Sequence, residues 1–268
     1  MIPILRFFIR IALSIFFKEI RIINEEMTQK KGPLLIVANH PNSFLDAILI
    51  GSIFDRKLNY LARGDVFRKP LYGYLLRSIG MIPIFRQREG KEHLHKNQDT
   101  FEGAVNIIEE GGAVLIFIEG LCLNTHHLLP YKKGTARIVE LLQERHKQFE
   151  IQVVTLSYQD FHSISKNVLI VFQRLAKIPV INSAKDRLIF NEKVREIMEK
   201  GLFRLPNQKR SHGVLKWFFY PYYLLVKRYV SKKTNGTVFY DSVLFAMLFF
   251  TFPLFLFGII SFFIYAFR

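Results

Sequence analysis

Between about residues 32 and 175, short uncharged apolar runs alternate with stretches whose apolar residues recur at helical spacing, which confines the chain to an α/β architecture. Strands are expected at 34–38, 58–61, 81–85, 113–118, 152–157 and 168–172, and helices at 43–54, 70–78, 99–110, 135–145 and 184–200. Gly111-Gly112 stop the third of these helices, and Ser183 is placed to cap the last. The first strand, Leu34-Leu35-Ile36-Val37-Ala38, is apolar at every position, as a strand covered on both faces inside a sheet must be. A chain of 268 residues has room for one substantial domain of this kind plus additions at its ends. The expected fold is α/β: a mixed, largely parallel sheet flanked by helices, with an N-terminal interfacial helix and a C-terminal membrane helix.

The turn after this strand carries the first chemistry. In Asn39-His40-Pro41-Asn42-Ser43-Phe44-Leu45-Asp46 a histidine and a carboxylate stand at the carboxyl end of a buried strand, where open α/β sheets bind ligands. Imidazole titrates near neutral pH, and a carboxylate on one ring nitrogen fixes its tautomer and stabilises the imidazolium, so His40 with Asp46 has the makings of a general base. Ser43-Phe44-Leu45-Asp46 equally fits a capping box, with Ser43 as N-cap and Asp46 at the third helical position. A turn histidine satisfied by its neighbours is the plainer reading of His40. On these residues alone both readings stay open.

Further motifs in a fixed order favour the catalytic reading. The first block resembles that of the glycerolipid acyltransferase family, which includes glycerol-3-phosphate and lysophosphatidic acid acyltransferases and in which Asn-His is followed by four residues and an Asp. Here five residues separate His40 from Asp46, the extra one falling in the Pro41-Asn42 turn. Gly80-Met81-Ile82-Pro83-Ile84-Phe85-Arg86 is similar to the second block, whose arginine the resemblance assigns to the substrate phosphate, a role that suits a guanidinium able to bind phosphate bidentately. Phe117-Ile118-Glu119-Gly120 resembles the third block, with Ile118 in place of proline and Leu121-Cys122 in place of Thr or Ser; 128–137 resembles the stretch that follows it. The counterpart of the fourth block, 151–158, lacks the family's proline. The resemblance covers about residues 30–175. It implies His40 and Asp46 as catalytic residues and Arg86, Glu119, Gly120 and Lys132 as substrate-binding residues. Taken singly, Glu119 could cap the next element, and Arg86, Arg88 and Lys91 could form a solvated basic loop.

A net charge of +16 implies an anionic partner: nucleic acid, the phosphates of coenzyme A, or an anionic membrane surface. No nucleic acid is expected, because the basic residues form no recognition helix and much of the aromatic excess (27 Phe, 11 Tyr) lies in apolar segments at the two ends. The lone Cys122 rules out an internal disulfide and fits a reducing, cytosolic setting. His93-Leu94-His95 and His126-His127 have no Cys or carboxylate at a recognised ligand spacing, so no metal is expected.

The ends read as membrane segments. Residues 1–23 are strongly apolar but interrupted by charges, Arg6, Arg10 and Lys18 among them, which suits a helix over 1–25 lying in the interface better than one crossing it. The acyltransferase domain is placed at 26–200, and a basic aromatic segment at 201–241, with Trp217, Phe218, Phe219, Tyr220, Tyr222 and Tyr223 between Lys216 and Lys227-Arg228. Residues 242–267 carry no charge and as a helix would be about 39 Å long against a hydrocarbon core of about 30 Å. Pro253 leaves two readings, one kinked span or two half-helices. Lys227, Arg228, Lys232 and Lys233 before the segment, against Arg268 after it, place the catalytic domain on the cytoplasmic side.

The resemblance implies transfer of a fatty acyl group from acyl-CoA or acyl carrier protein, as co-substrate with no further cofactor, to a glycerol phosphate hydroxyl. The leading acceptor is 1-acylglycerol-3-phosphate (lysophosphatidic acid), with glycerol-3-phosphate or another lysolipid as alternative. A membrane-attached hydrolase with Ser43 as nucleophile and a non-catalytic lipid-binding protein are the readings from other classes.

Overall fold

The structure, a computed structural model, describes residues 3–85, 96–206 and 220–266. Within these, β1 (Phe17–Ile23), β2 (Leu34–Ala38), β3 (Asn59–Arg63), β4 (Met81–Ile84), β5 (Ala113–Phe117), β6 (Glu150–Tyr158) and β7 (Lys166–Arg174) form one sheet. Its order is β1-β7-β6-β2-β5-β3-β4, with every pairing parallel except β6–β7. This is the mixed, largely parallel sheet expected. The helices are α1 (Pro3–Phe16), α2 (Phe44–Ile53), α3 (Pro70–Ser78), α4 (Lys96–Glu109), α5 (Gly134–Glu144), α6 (Ala184–Gly201), α7 (Tyr220–Thr234) and α8 (Tyr240–Ala266).

β2 lies at the centre, between β6 and β5, and its unbroken apolar run follows from that position. Leu34, Ile36 and Ala38 point into a core shared with α1, α2, α7 and α8, while Leu35 and Val37 point into one shared with α4, α5 and α6. The strand therefore carries its C-terminal turn to the middle of the sheet's carboxyl edge, with helices on both sides. Gly111 ends the approach to β5 at φ 80, a conformation that favours glycine.

One segment differs from expectation. Residues 17–23, read with the preceding stretch as one interfacial helix, form β1, which pairs in parallel with β7 at the sheet edge. The β-branched pattern Ile20, Ile22 and Ile23 and the long-range pairing outweigh the apolar continuity that joined these residues to α1. Within α1 the amphipathicity also runs opposite to an isolated interfacial helix. Arg6, Ile9, Leu13 and Phe16 face the protein, and Arg10 Nε and Nη2 donate to the Ser52 and Ile53 carbonyls (2.6 and 3.1 Å) at the end of α2. Ile4, Phe7, Phe8, Ile11 and Ile15 face outward.

The helix α8 runs without interruption through Pro253, so the reading as two half-helices is set aside. It is long and apolar enough to cross a membrane. Its two ends differ: Asp241, Ser242, Leu244 and Phe245 are buried in the domain, whereas Phe250, Leu254, Phe257, Phe262 and Tyr265 are exposed. Burial of Leu244 and Phe245 contributes about 1.5–3 kcal/mol each, which fixes the base of the helix in the fold. The boundary placed between residues 241 and 242 thus falls inside the first turn of α8. Next to it α7 packs through Tyr222, whose hydroxyl meets Thr251 Oγ1 (2.5 Å) and whose ring stacks on Phe255.

Candidate active site

The turn from β2 to α2 brings His40 and Asp46 into contact: His40 Nδ1 lies 2.9 Å from Asp46 Oδ2. The extra residue between them does not break the pair. The Asp46 side chain is fully buried (0% exposed) and the imidazole is 20% exposed, so the carboxylate is sealed while the ring reaches the surface. Asp46 Oδ2 also accepts the Asn42 N–H (2.8 Å), and Oδ1 accepts the Tyr158 hydroxyl (2.6 Å) from the end of β6. Burial first, then the Asp46 charge, pushes the Tyr158 phenol well above its ordinary pKa, so it stays a donor. With Nδ1–H donating to the carboxylate, Nε2 is left with the lone pair that can take a proton.

The ring is held from below as well. Phe117, the last residue of β5, stacks on His40 at 3.8 Å between centroids and 10° between planes. Asn39 bridges β2 to β6, donating through Nδ2 to the Leu156 carbonyl (3.0 Å) and accepting the Leu156 N–H at Oδ1 (2.8 Å).

Glu119 lies in the turn after β5, 3% exposed. Oε2 accepts the His40 N–H (2.9 Å) and Oε1 the Leu129 N–H (2.8 Å). Burial raises its pKa, and the two N–H donors offset that only in part. Both oxygens are turned to backbone, so Glu119 ties the 119–131 loop to the His40 turn. Gly120 has φ 59, and a Cβ there would stand 2.8 Å from Lys132 Cγ, so the exposed Lys132 side chain lies across the glycine. Lys132 N–H donates to the Ile118 carbonyl (2.8 Å).

Arg86 lies outside the described residues, as do Arg88, Lys91, His93, His95 and Lys216–Phe219. His126 packs against Phe161. Among the described residues no three His, Cys, Asp or Glu side chains group as metal ligands would.

Sequence reasoning passed over Tyr158 and gave no partner for Cys122 or for the Ser43 N–H. Tyr158 ends an apolar strand with no local signal of its partner. Cys122 accepts the Ser43 N–H at Sγ (2.9 Å), and burial, then the neighbouring Asp46 carboxylate, pushes its thiol up to about 12. Ser43, at φ 53, makes no side-chain cap bond, and the Asp46 carboxylate accepts the N–H of Asn42 rather than that of Ser43, so neither half of the capping box forms.

Fold and site together define an α/β protein that presents a carboxylate-oriented histidine at the carboxyl end of its central strand. The sequence profile of the Acyltransferase family matches residues 19–159, more than half of the chain, and the chain belongs to that family. Among curated relatives it is similar to a chloroplast 1-acyl-sn-glycerol-3-phosphate acyltransferase of Brassica napus, at 25% identity over 42% of this chain and 31% of the relative. It is also similar to the 1-acyl-sn-glycerol-3-phosphate acyltransferase of Bacillus subtilis, at 23% identity over 46% of this chain and 57% of the relative. A third, an acyltransferase of Schizosaccharomyces pombe, is 24% identical over 49% of this chain and 20% of its own length, so the chain spans between a fifth and somewhat over half of these relatives. The crystal structure of the lysophosphatidic acid acyltransferase PlsC from Thermotoga maritima shares the fold, with a TM-score of 0.53 and 17% identity over 75% of this chain and 80% of that one.

Proposed function

We propose that the protein transfers a fatty acyl group from an acyl thioester, carried by coenzyme A or acyl carrier protein, to the free hydroxyl of a glycerol phosphate, with 1-acylglycerol-3-phosphate as the acceptor. The observation that carries this reading is the sealed Asp46 carboxylate on Nδ1 of a reachable His40. The names of two of the relatives supply the acceptor.

His40 Nε2 takes the hydroxyl proton as the oxygen attacks the thioester carbonyl. The carbon–sulfur bond then breaks, and the departing thiolate receives a proton, so ester and free thiol are the products. The Asp46 charge stabilises the imidazolium formed on the way. Arg86 and Lys132 are assigned to the acceptor phosphate, and Glu119 with Gly120 to the shape of the loop that presents Lys132.

The acceptor, the product and the acyl chain all partition into lipid, and the outward surface matches such a medium. The exposed apolar face of α1, Leu224 and Leu225 of α7 and the outer part of α8 form apolar surface bordered by Lys227, Arg228, Lys232 and Lys233. We place the protein in the membrane with its catalytic domain on the cytoplasmic side, on the charge asymmetry about α8.

The test is acyl transfer by detergent-solubilised protein from labelled palmitoyl-CoA and palmitoyl-acyl carrier protein to lysophosphatidic acid, glycerol-3-phosphate and a zwitterionic lysolipid, with His40→Ala alongside. Transfer to lysophosphatidic acid that falls by about 10²-fold or more in the variant is expected. Wild-type turnover by His40→Ala would refute the mechanism, and transfer to another acceptor alone would refute the acceptor.

A further inference from the structure

A buried polar cluster beside the His40–Asp46 pair joins the same turn to the start of α8, up to 200 residues further along the chain. Ser242 Oγ donates to the Asn42 carbonyl and accepts the Leu45 N–H, each at 3.0 Å. Asn42 Nδ2 donates to Asp241 Oδ2 (2.9 Å), which also pairs with Lys166 Nζ from the start of β7. Asn42, Lys166, Asp241 and Ser242 are all fully buried. The backbone N–H of Asn42 is the one bonded to Asp46 Oδ2, the oxygen that holds His40 Nδ1.

Two features separate this cluster from ordinary helix packing. Burying an ion pair and a hydroxyl at the foot of an otherwise apolar helix is costly, and apolar residues would anchor α8 at less expense. The bonds also fall on groups that set the shape of the turn. The Leu45 N–H is one of the free donors in the first turn of α2, so Ser242 supplies from a distant helix the cap bond that the Ser43 side chain does not make.

We propose that Asp241 and Ser242 are positioning residues for the reaction at His40: the first turn of α8 holds residues 40–46 in the shape in which Asp46 meets the imidazole, so turnover depends on how the membrane-facing helix is seated. This rests on the reading of His40 as general base.

The test uses the full chain in detergent, palmitoyl-CoA and lysophosphatidic acid, and a double-mutant cycle. Ser242→Ala is expected to lower kcat about tenfold or more, since a small misplacement of a catalytic group can cost about 10²-fold, with KM for both substrates within about twofold. Ser242→Thr, which keeps the hydroxyl, restores kcat. Thr251→Ala, which removes the Tyr222 contact two turns and more along α8, leaves it unchanged. In a His40→Ala background, adding Ser242→Ala produces no further loss, because both act through one imidazole.

Wild-type kcat in Ser242→Ala, or losses that multiply in the double variant, would overturn the proposal while His40 stands as base. Wild-type turnover in His40→Ala would remove both readings at once. Should thermal unfolding show Ser242→Ala to be misfolded, Asn42→Ala breaks the link to Asp241 from the turn's side, and the same cycle is read with it.

Discussion

Asp46→Asn separates the charge on Asp46 from its hydrogen bonds. In the wild type Oδ2 accepts from His40 Nδ1 and the Asn42 N–H, and Oδ1 accepts from the Tyr158 hydroxyl. An asparagine whose amide oxygen takes the place of Oδ2 keeps the first two bonds. Its NH2 takes the place of Oδ1 and donates to Tyr158, whose hydroxyl can reverse from donor to acceptor. Tautomer and ring orientation are retained, and what disappears is the negative charge facing the imidazolium. At about 4 Å and an effective dielectric of about 20, that charge is worth about 4 kcal/mol, or about 10³-fold in rate. Because the imidazole is neutral before proton transfer, the loss falls on kcat and leaves KM within a few-fold. The assay is initial-rate transfer from palmitoyl-CoA to lysophosphatidic acid, with thermal unfolding as the check on folding. A folded Asp46→Asn that keeps kcat within about tenfold of wild type would refute the claim that this carboxylate stabilises a charged histidine.

Cys122, half-buried and with its thiol pushed up to about 12, should react with iodoacetamide at pH 8 far more slowly in the native protein than after unfolding in urea; equal rates would contradict the raised thiol. Cys122→Ala leaves the Ser43 N–H without its acceptor and should cost about 1–3 kcal/mol in urea unfolding, and a neutral result would dismiss that bond. For Glu119 the folded pKa is raised, so its contribution to stability is present below the unfolded value and is lost as pH rises through the folded one. The stability of wild type minus Glu119→Gln should therefore fall as pH is raised from about 4 upward, and a difference that rises with pH would reverse the sign. Gly120→Ala strains a positive φ and displaces Lys132, so it should raise KM for lysophosphatidic acid more than KM for palmitoyl-CoA; equal changes would separate Lys132 from the phosphate.

Local signals made most of the sheet legible, and the ordered motifs of the family resemblance, rather than the local residues alone, favoured the His40–Asp46 pair. β2 showed itself because a strand covered on both faces must be apolar throughout, and α4 because two glycines end it. The residues that support the pair were not legible, because their partners are remote in sequence. Tyr158 meets Asp46 across 112 positions, and Cys122 meets Ser43 across 79. β1 was hidden for a related reason: an edge strand and an interfacial helix can share one apolar composition, and only the pairing with β7 distinguishes them. The arginines of α1 misled in the same way, since a guanidinium bound to helix carbonyls is indistinguishable in sequence from one facing a headgroup.

Three of the departures from the family's pattern, the extra residue, Cys122 and Ile118, fall around one turn. A turn with five residues between His40 and Asp46 puts Ser43 at φ 53 and turns its N–H away from the helix it precedes. That N–H requires an acceptor, and Cys122, standing where the resemblance leads one to expect a hydroxyl, provides it. Asn42 is buried by the same turn with its carbonyl and side chain both needing partners, and these come from Ser242 and Asp241. Ile118, in place of the usual proline, has an N–H to give, and donates it to the Ala38 carbonyl at 3.0 Å, closing β5 onto the end of β2 just before Asn39. A proline there would leave that carbonyl without this donor. These residues and the C-terminal helix thus act as one set: restoring the family's spacing by deleting Asn42 would take one partner each from Asp241, left with Lys166, and Ser242, left with the Leu45 N–H, rather than improve the contact between His40 and Asp46.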